Sequence, residues 1–313
     1  MFPDNCPSCK LETTQFQKNS YPAFNEKSEC TPTNILTCPQ CNFEFAYPMP
    51  SEKDLQELYQ NNRYWGEMVK PLVTTKTLPV PFALANVRWE LLVSHLPEWE
   101  GEDVIEILDI GAGQGCFGML ANKYLPNHKI SYTVVEPDQL MRDSLEQSWG
   151  NVNLKIQLSL YDSLDKVKKK YHIVVLSHIL EHVTNPVEFL EGIRKFNKLD
   201  GLLFIDVPNQ DYFFKKNVFP HLLFFSLESL KATIENSGFE ITTIGEWGRD
   251  RKSTPMNENV FSFLRVLGKV VTRIQRIIPS RILMTYFAWH FGIKKENPMG
   301  TWIRAIATSK VRV

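Results

Sequence analysis

The sequence carries no net charge: 35 Lys and Arg balance 35 Asp and Glu over 313 residues. That excludes a whole-surface attraction to nucleic acid and leaves room only for a local basic patch. No stretch reaches the roughly 20 apolar residues of a membrane-spanning helix. The opening residues, Met1-Phe-Pro-Asp-Asn-Cys6, lack a basic segment followed by an apolar run. No signal peptide is expected from them, and the expected location is cytoplasmic. Cysteine is scarce, six in all, and unevenly placed. What remains, 43% hydrophobic and 22% charged residues, suits a globular chain with room for one full α/β domain plus appendages.

The most informative stretch is Ile107-Leu-Asp-Ile-Gly-Ala-Gly-Gln-Gly-Cys-Phe-Gly118. An apolar run from Val104 to Ile110 predicts a buried strand, with Asp109 near its end. Gly111, Gly113 and Gly115 follow at alternate positions, where glycine permits a sharp turn and close approach of a ligand to the backbone. A helix is expected from about Phe117, its positive end aimed at that ligand. Roughly 20 residues on, the spacing of a ribose-binding acid, Ile130-Ser-Tyr-Thr-Val-Val-Glu-Pro-Asp138 predicts a second strand ending at Glu136. An ionised carboxylate there can accept hydrogen bonds from two ribose hydroxyls. The pattern is Gly-x-Gly-x-Gly, not the Gly-x-Gly-x-x-Gly of nicotinamide sites, and the strand-end acid Asp109 suits a cofactor with a cationic centre.

With these residues the chain resembles the class I S-adenosylmethionine-dependent methyltransferases over roughly residues 85–245. Asp109 to Gly115 is similar to their first motif and Val135-Glu136-Pro-Asp138 to their second. Ser159-Leu-Tyr-Asp162 falls where the family places a loop against the adenine edge. Val174-Val-Leu-Ser-His-Ile-Leu-Glu-His-Val183 resembles the fourth-strand motif of a large subgroup, and Gly201 to Pro208 the fifth strand. The resemblance implies a doubly wound, Rossmann-like α/β sheet of seven strands. It implies S-adenosylmethionine held by Asp109, Gly111, Gly113, Gly115, Glu136, Tyr161, Asp162 and Ser177. It also makes the last strand, Trp302 to Thr308, antiparallel.

Four of the cysteines form two knuckles, Cys6-Pro-Ser-Cys9 and Cys38-Pro-Gln-Cys41. Two such turns supply the four sulfurs of a tetrahedral zinc site, closed and therefore structural. Two disulfides are the poorer reading in a reducing cytoplasm. A hairpin or loop is expected between the knuckles; Cys30 reads as a spare thiol or core residue, and Cys116 as a small packing residue. The expected organisation is a zinc module over 1–48, a linker and covering segment over 49–80, and a catalytic domain over 81–313.

The linker opens with Tyr47-Pro-Met-Pro, after which Ser51 and Asp54 read as a partial capping box for a short helix whose apolar face is Leu55, Leu58 and Tyr59. Asn62-Arg-Tyr-Trp-Gly66 follows. Knuckle module, Pro-Ser-Glu helix and Tyr-Trp pair together resemble methyltransferases of surface-polysaccharide and sugar-nucleotide pathways. By that resemblance Tyr64 or Trp65 closes on the methionine end of the cofactor. The same two aromatics could equally glue the module to the domain.

Further helices are expected at Phe82–Leu96, Leu140–Gln147, Val187–Phe196 and Leu227–Ser237, and a sixth strand at Phe239–Ile244. An insertion of about 250–298 stands out because Asn259 to Lys295 holds seven Lys or Arg and no Asp or Glu. Arg265, Lys269, Arg273 and Arg276 share one helix face, opposite an apolar one. Three uses are open to 259–291: a helical hairpin packed on the domain or at a homodimer contact, a lid gripping an anionic acceptor, or a peripheral membrane contact.

Methyl transfer asks the protein to align an acceptor and, for a hydroxyl, to take its proton. His178, directly after strand four, and His221, after strand five, are the candidate bases; neutral histidine suits that task near pH 7. In ubiquinone-pathway relatives an acid stands at the position of His178, and the residues matching Glu181 and His182 help bind a divalent metal. Here Glu181 and His182 read as the start of a helix, Asp206 as structural, and Asn209 as facing the acceptor. The function expected is methyl transfer to a small-molecule or glycan acceptor such as a sugar or sugar nucleotide. A zinc-ribbon RNA methyltransferase and a non-catalytic binding module are the alternatives.

Overall fold

The structure is a computed structural model and describes residues 5–10, 12, 16–22, 31–60, 79–99, 101–151, 155–250 and 299–310. The N-terminal part contributes three short strands, β1 (Gln17–Ser20), β2 (Asn34–Thr37) and β3 (Glu44–Tyr47). A capped helix, α1 (Glu52–Gln60), and a longer one, α2 (Pro79–Val93), lead into the main sheet. Ser51 and Asp54 form the full reciprocal box: Asp54 N–H donates to Ser51 Oγ at 3.2 Å, and Ser51 N–H to Asp54 Oδ2 at 3.1 Å.

The main sheet is built from β4 (Val104–Ile110), β5 (Lys129–Val135), β6 (Ile156–Tyr161), β7 (Tyr171–Ser177), β8 (Asn197–Pro208), β10 (Phe239–Asp250) and β11 (Gly300–Ser309). Their order is β10-β11-β8-β7-β4-β5-β6. The apolar runs of β4 and β7 are nearly continuous, as strands buried on both faces require. β4 pairs in parallel with both β5 and β7, and β11 is antiparallel to β10 and to β8. The chain leaves β4 in one direction toward β5 and β6 and returns on its other side as β7. The strand order therefore reverses at the carboxyl end of β4, where open α/β sheets place their ligands.

Alternation along the strands feeds two cores. Leu108, Ile110, Leu176, Leu203 and Ile205 face α6 (Pro186–Arg194), α7 (Leu227–Asn236) and the knuckle module. Ile105, Ile107, Val134, Ile173 and Phe204 face α2, α3 (Cys116–Met119) and α5 (Gln139–Asn151). Trp89 of α2 is fully buried and stacks on Phe117 and Tyr124, with ring centroids 4.4 and 5.5 Å away. Its indole N–H donates to the Phe117 carbonyl at 2.8 Å, satisfying the one polar atom such burial strands.

Among the described residues the expected helices are present with shifted ends, save the one after the glycine turn. It begins at Cys116, lasts four residues and breaks at Leu120 before α4 (Ala121–Tyr124). A four-residue helix sums few peptide dipoles, so the expected positive end toward a ligand is small. Glu181 and His182 do not start a helix either. They lie in a single 3-10 turn, Leu180–His182, and α6 begins later at Pro186, capped by Asn185.

The knuckle module is not a sheet on its own. Its strands run β1-β2-β3 and are completed by β9 (Leu223–Phe224), which follows the fifth strand of the main domain. Glu44 pairs with Phe224 and Phe45 with Leu223. Lys10 Nζ also donates to Asn185 Oδ1 at 2.9 Å, and Ser8 hydrogen-bonds Thr233. The boundary expected at residue 48 is crossed by backbone pairing. Among the described residues no helix is long and apolar enough to cross a membrane.

Candidate active site and thiolate cluster

A cavity of about 800 Å³ opens at the carboxyl ends of β4, β5 and β7. One wall is the glycine turn. Gly111, Gly113 and Gly115 have φ of +67°, +54° and +70°, values at which a side chain is strained. Gly111 N–H donates to the Val135 carbonyl at 2.8 Å, and a Cβ on Gly111 would overlap the Ile179 side chain. Gly111 and Gly113 line the cavity. Gly115 does not: a Cβ there would press on Trp149 and Leu145, so its place is helix packing. Asp109 does not line the cavity either. It is 2% exposed, receives the Tyr132 hydroxyl hydrogen bond behind the turn, and burial pushes its carboxyl up to about 7.

Glu136 does line the cavity, at 5% exposure. One carboxylate oxygen accepts the Asp138 N–H at 3.2 Å, and burial raises its pKa to about 7. Asp162 follows β6. Its Oδ2 pairs with Lys166 at 2.7 Å, while Oδ1 is buried without a hydrogen-bond partner among the described residues. Leu164 and Ser177 complete this wall. Tyr161 is not among the residues lining the cavity, although it pairs with Val135, which is; its carbonyl accepts the Glu136 N–H at 2.9 Å.

The opposite wall gathers Glu52, Gln56 and Tyr59 of α1 with His178, His182 and His221. His178 sits at φ +58°, a left-handed conformation rare for a residue with a side chain, and its Nδ1 is 3.0 Å from Oε1 of buried Glu181. Burial raises the Glu181 carboxyl, but His178 and the neighbouring histidines outweigh it and hold the group below its ordinary value. His182 Nδ1 lies 2.9 Å from the Tyr59 hydroxyl, and burial pulls its pKa down to about 4, so it is neutral at pH 7. His221 packs edge-on to His182 at 4.8 Å, with Nδ1 2.9 Å from Oδ2 of Asp211. Glu181, His182 and His221 each offer one ligand atom, all within 4.8 Å of one another. Hydrogen bonds with His178 and Tyr59 already engage two of these groups.

Asn209 does not face this wall. It is fully buried, donating to Glu246 Oε1 at 2.5 Å and to the Gly300 carbonyl at 2.9 Å, and so ties β8 to β10 and β11. Asp206 is structural as expected, receiving Arg88 Nε at 2.6 Å with Arg304 Nε at 3.5 Å. Sequence reasoning missed Asp211, Arg88 and the hydroxyl of Tyr59. Tyr59 had a signal, a polar tip on an otherwise apolar helix face. Tyr64, Trp65, Cys30 and the basic stretch 259–295 lie outside the described residues.

The four knuckle cysteines converge. Cys6 Sγ is 3.7 Å from Cys41 Sγ, and Cys9 Sγ is 3.8 Å from Cys38 Sγ. These separations are far longer than a disulfide bond of about 2.05 Å. They match the edge of a tetrahedron with metal–sulfur bonds of about 2.3 Å, roughly 3.8 Å. The two knuckles repeat one backbone design: Lys10 N–H donates to Cys6 O and Asn42 N–H to Cys38 O, both at 3.0 Å, with Lys10 and Asn42 left-handed. Hydrogen bonding, from Cys6 first, pulls the Cys41 thiol down to about 5.

A family model described as a methyltransferase domain matches residues 85–244, just over half of the chain. Malonyl-[acyl-carrier protein] O-methyltransferase 2 of Ilyobacter polytropus is 25% identical over 149 residues, which are 44% of this chain and 56% of that protein. The chain thus spans little more than half the length of this curated relative. Solved structures of similar shape include a Thermotoga maritima S-adenosylmethionine-dependent methyltransferase, possible histamine N-methyltransferase. It is 14% identical with a TM-score of 0.47, covering 82% of this chain and 100% of that one. The cyclopropane synthase MmaA2 of Mycobacterium tuberculosis is 13% identical with a TM-score of 0.48, covering 71% and 82%.

Proposed function

The chain belongs to the methyltransferase-domain family, and we propose that it transfers the methyl group of S-adenosylmethionine to a hydroxyl of a small-molecule or glycan acceptor. The observation that carries this reading is one cavity with a glycine cradle and Glu136 on one wall and three histidines on the other. When bound, S-adenosylmethionine supplies a methyl carbon already activated on a cationic sulfonium.

The residues of the first wall fit that group. Gly113 leaves the turn bare of a side chain where a ligand would meet the backbone, while the Ile179 side chain packs over Gly111. Glu136 spends one oxygen on the Asp138 N–H and has acceptor capacity left for a ribose diol. Asp162 Oδ1, buried and without a partner among the described residues, suits the exocyclic amine of adenine.

On the second wall His182 is neutral and held by Tyr59, so proton handling falls to His221 and His178. The base would accept the acceptor's hydroxyl proton as the oxygen–carbon bond forms and the methyl–sulfur bond breaks to leave a neutral thioether, and would release that proton to water afterwards. Glu52, Gln56, Tyr59 and Lys215 give this wall the mixed donors and acceptors that suit a polyol, and a cation that suits a phosphorylated one. A sugar, sugar nucleotide or polysaccharide end has that chemistry. We assign the four thiolates to a structural zinc ion.

The test is calorimetric titration of the zinc-replete protein with S-adenosylhomocysteine, repeated on Glu136→Ala. Micromolar binding, of the order of −8 kcal/mol, that is lost in the variant supports the cofactor site. It leads to a methyl-transfer screen beginning with sugar nucleotides. Absence of binding to folded protein would overturn the reading in favour of a non-catalytic module. RNA binding that weakens steeply with salt would favour an RNA substrate.

A further inference from the structure

Resting on the reading of the cavity as a methyl-transfer site, we infer that Asp211 is the positioning residue of His221: it claims Nδ1 and leaves Nε2 as the bare nitrogen facing the acceptor. Asp211 lies in a 3-10 turn, Asp211–Phe213, and is 1% exposed. Its Oδ2 is 2.9 Å from His221 Nδ1, close enough to pair though short of a straight N–H···O line. Both atoms are buried, and His221 Nδ1 has no other hydrogen-bond partner among the described residues. Lys215 Nζ lies 2.7 Å from the same oxygen. Burial alone would raise the Asp211 carboxyl; His221 and Lys215 overcome it and hold the group far below the carboxylate range.

Each member of the pair is fixed separately, by the knuckle module. Next to Asp211, Gln210 Nε2 donates to Glu44 Oε2 at 2.6 Å and the Tyr212 hydroxyl to Glu44 Oε1 at 2.7 Å. At the other end the Tyr21 hydroxyl donates to the His221 carbonyl at 2.8 Å, and Ala46 N–H to the Leu222 carbonyl at 2.7 Å. Between those anchors Asp211 is the carboxylate 2.9 Å from Nδ1 of the ring. Which imidazole nitrogen carries the proton is set by the hydrogen bond the other makes, and a carboxylate behind a histidine fixes that choice and the ring orientation. The neutral ring so held presents a lone pair, not an N–H, to a hydroxyl in the cavity. The other charged or titratable groups near it are Glu181, His182 and Lys215.

The experiment is a long-range 1H–15N spectrum of the full, zinc-replete protein labelled at its histidine rings, with S-adenosylhomocysteine added and His221→Gln used for assignment. Expected in wild type is a His221 signal of the Nδ1–H tautomer. In Asp211→Ala it moves to the Nε2–H tautomer or to rapid exchange, while S-adenosylhomocysteine affinity changes less than about twofold. An Nε2–H tautomer in wild type, or an unchanged one in Asp211→Ala, would overturn the inference. The wild-type tautomer does not depend on Asp211→Ala, so poor folding of that variant leaves it standing as a test. Failure of wild type to bind S-adenosylhomocysteine would instead remove the site reading beneath it.

Discussion

The cofactor wall takes Gly111, Gly113 and Glu136 from the ends of adjacent strands of one sheet, whose register sets Ile110 beside both Val135 and Leu176. The acceptor wall takes Tyr59 from a linker helix, His178 from a left-handed turn and His221 from a segment gripped by the knuckle module. The first wall is backbone geometry, and it survives as long as the sheet does. The second is a set of side-chain pairs whose members lie far apart in sequence, and each pair depends on a tertiary contact. Walls of such different origin should fail separately, and four measurements exploit that.

The largest effect is expected from His221→Gln. Turnover on the acceptor found by the screen falls about a thousandfold, the range for loss of a general base, with S-adenosylhomocysteine affinity within twofold of wild type. Coupled loss of both would merge the walls. Glu136→Ala is the mirror case. It should weaken S-adenosylhomocysteine by about a hundredfold, or roughly 2.7 kcal/mol, as loss of charged hydrogen bonds does, while the His221 ring signal stays in place. Stripping the thiolate cluster with a chelator should lower turnover about tenfold or more through β3 and β9, yet leave calorimetric binding of S-adenosylhomocysteine nearly unchanged.

The smallest effect is a pH dependence of the cofactor wall alone. Burial raises Glu136 to about 7, and a diol donating to it favours the ionised form. Affinity for S-adenosylhomocysteine should therefore rise with pH through that value, by about tenfold from pH 6 to pH 8. Asp109 titrates in the same range but is shut behind the turn. The dependence should flatten in Glu136→Gln, and if it persists there Asp109 is its source.

Much of the sheet could be read from apolar runs and turn residues, and Glu136 from its spacing, because those signals lie within short contiguous stretches. The same proximity hid that neither Asp109 nor Gly115 lines the cavity. A motif gives a residue's place on a strand end but not what packs against it, Tyr132 for the one and Trp149 for the other. The break at Leu120 was equally hidden, since nothing local in Ala121 to Tyr124 forbids a continuous helix. The histidines were legible as residue types. Asp211 was not, because its meaning arises only when a two-residue strand at Leu223 joins a sheet begun at Gln17.

That join also sets a timetable for synthesis. β3 ends at Tyr47 and the strand that covers its edge is Leu223–Phe224, roughly 175 residues later. At about 5–20 residues per second, the ribosome leaves the edge uncovered for roughly 9–35 s. An open strand edge is a template for pairing with other chains. The nascent knuckle module is thus a sticky object awaiting its own distant sequence. Early capture of a metal by its four thiols would shorten the interval in which it can pair wrongly.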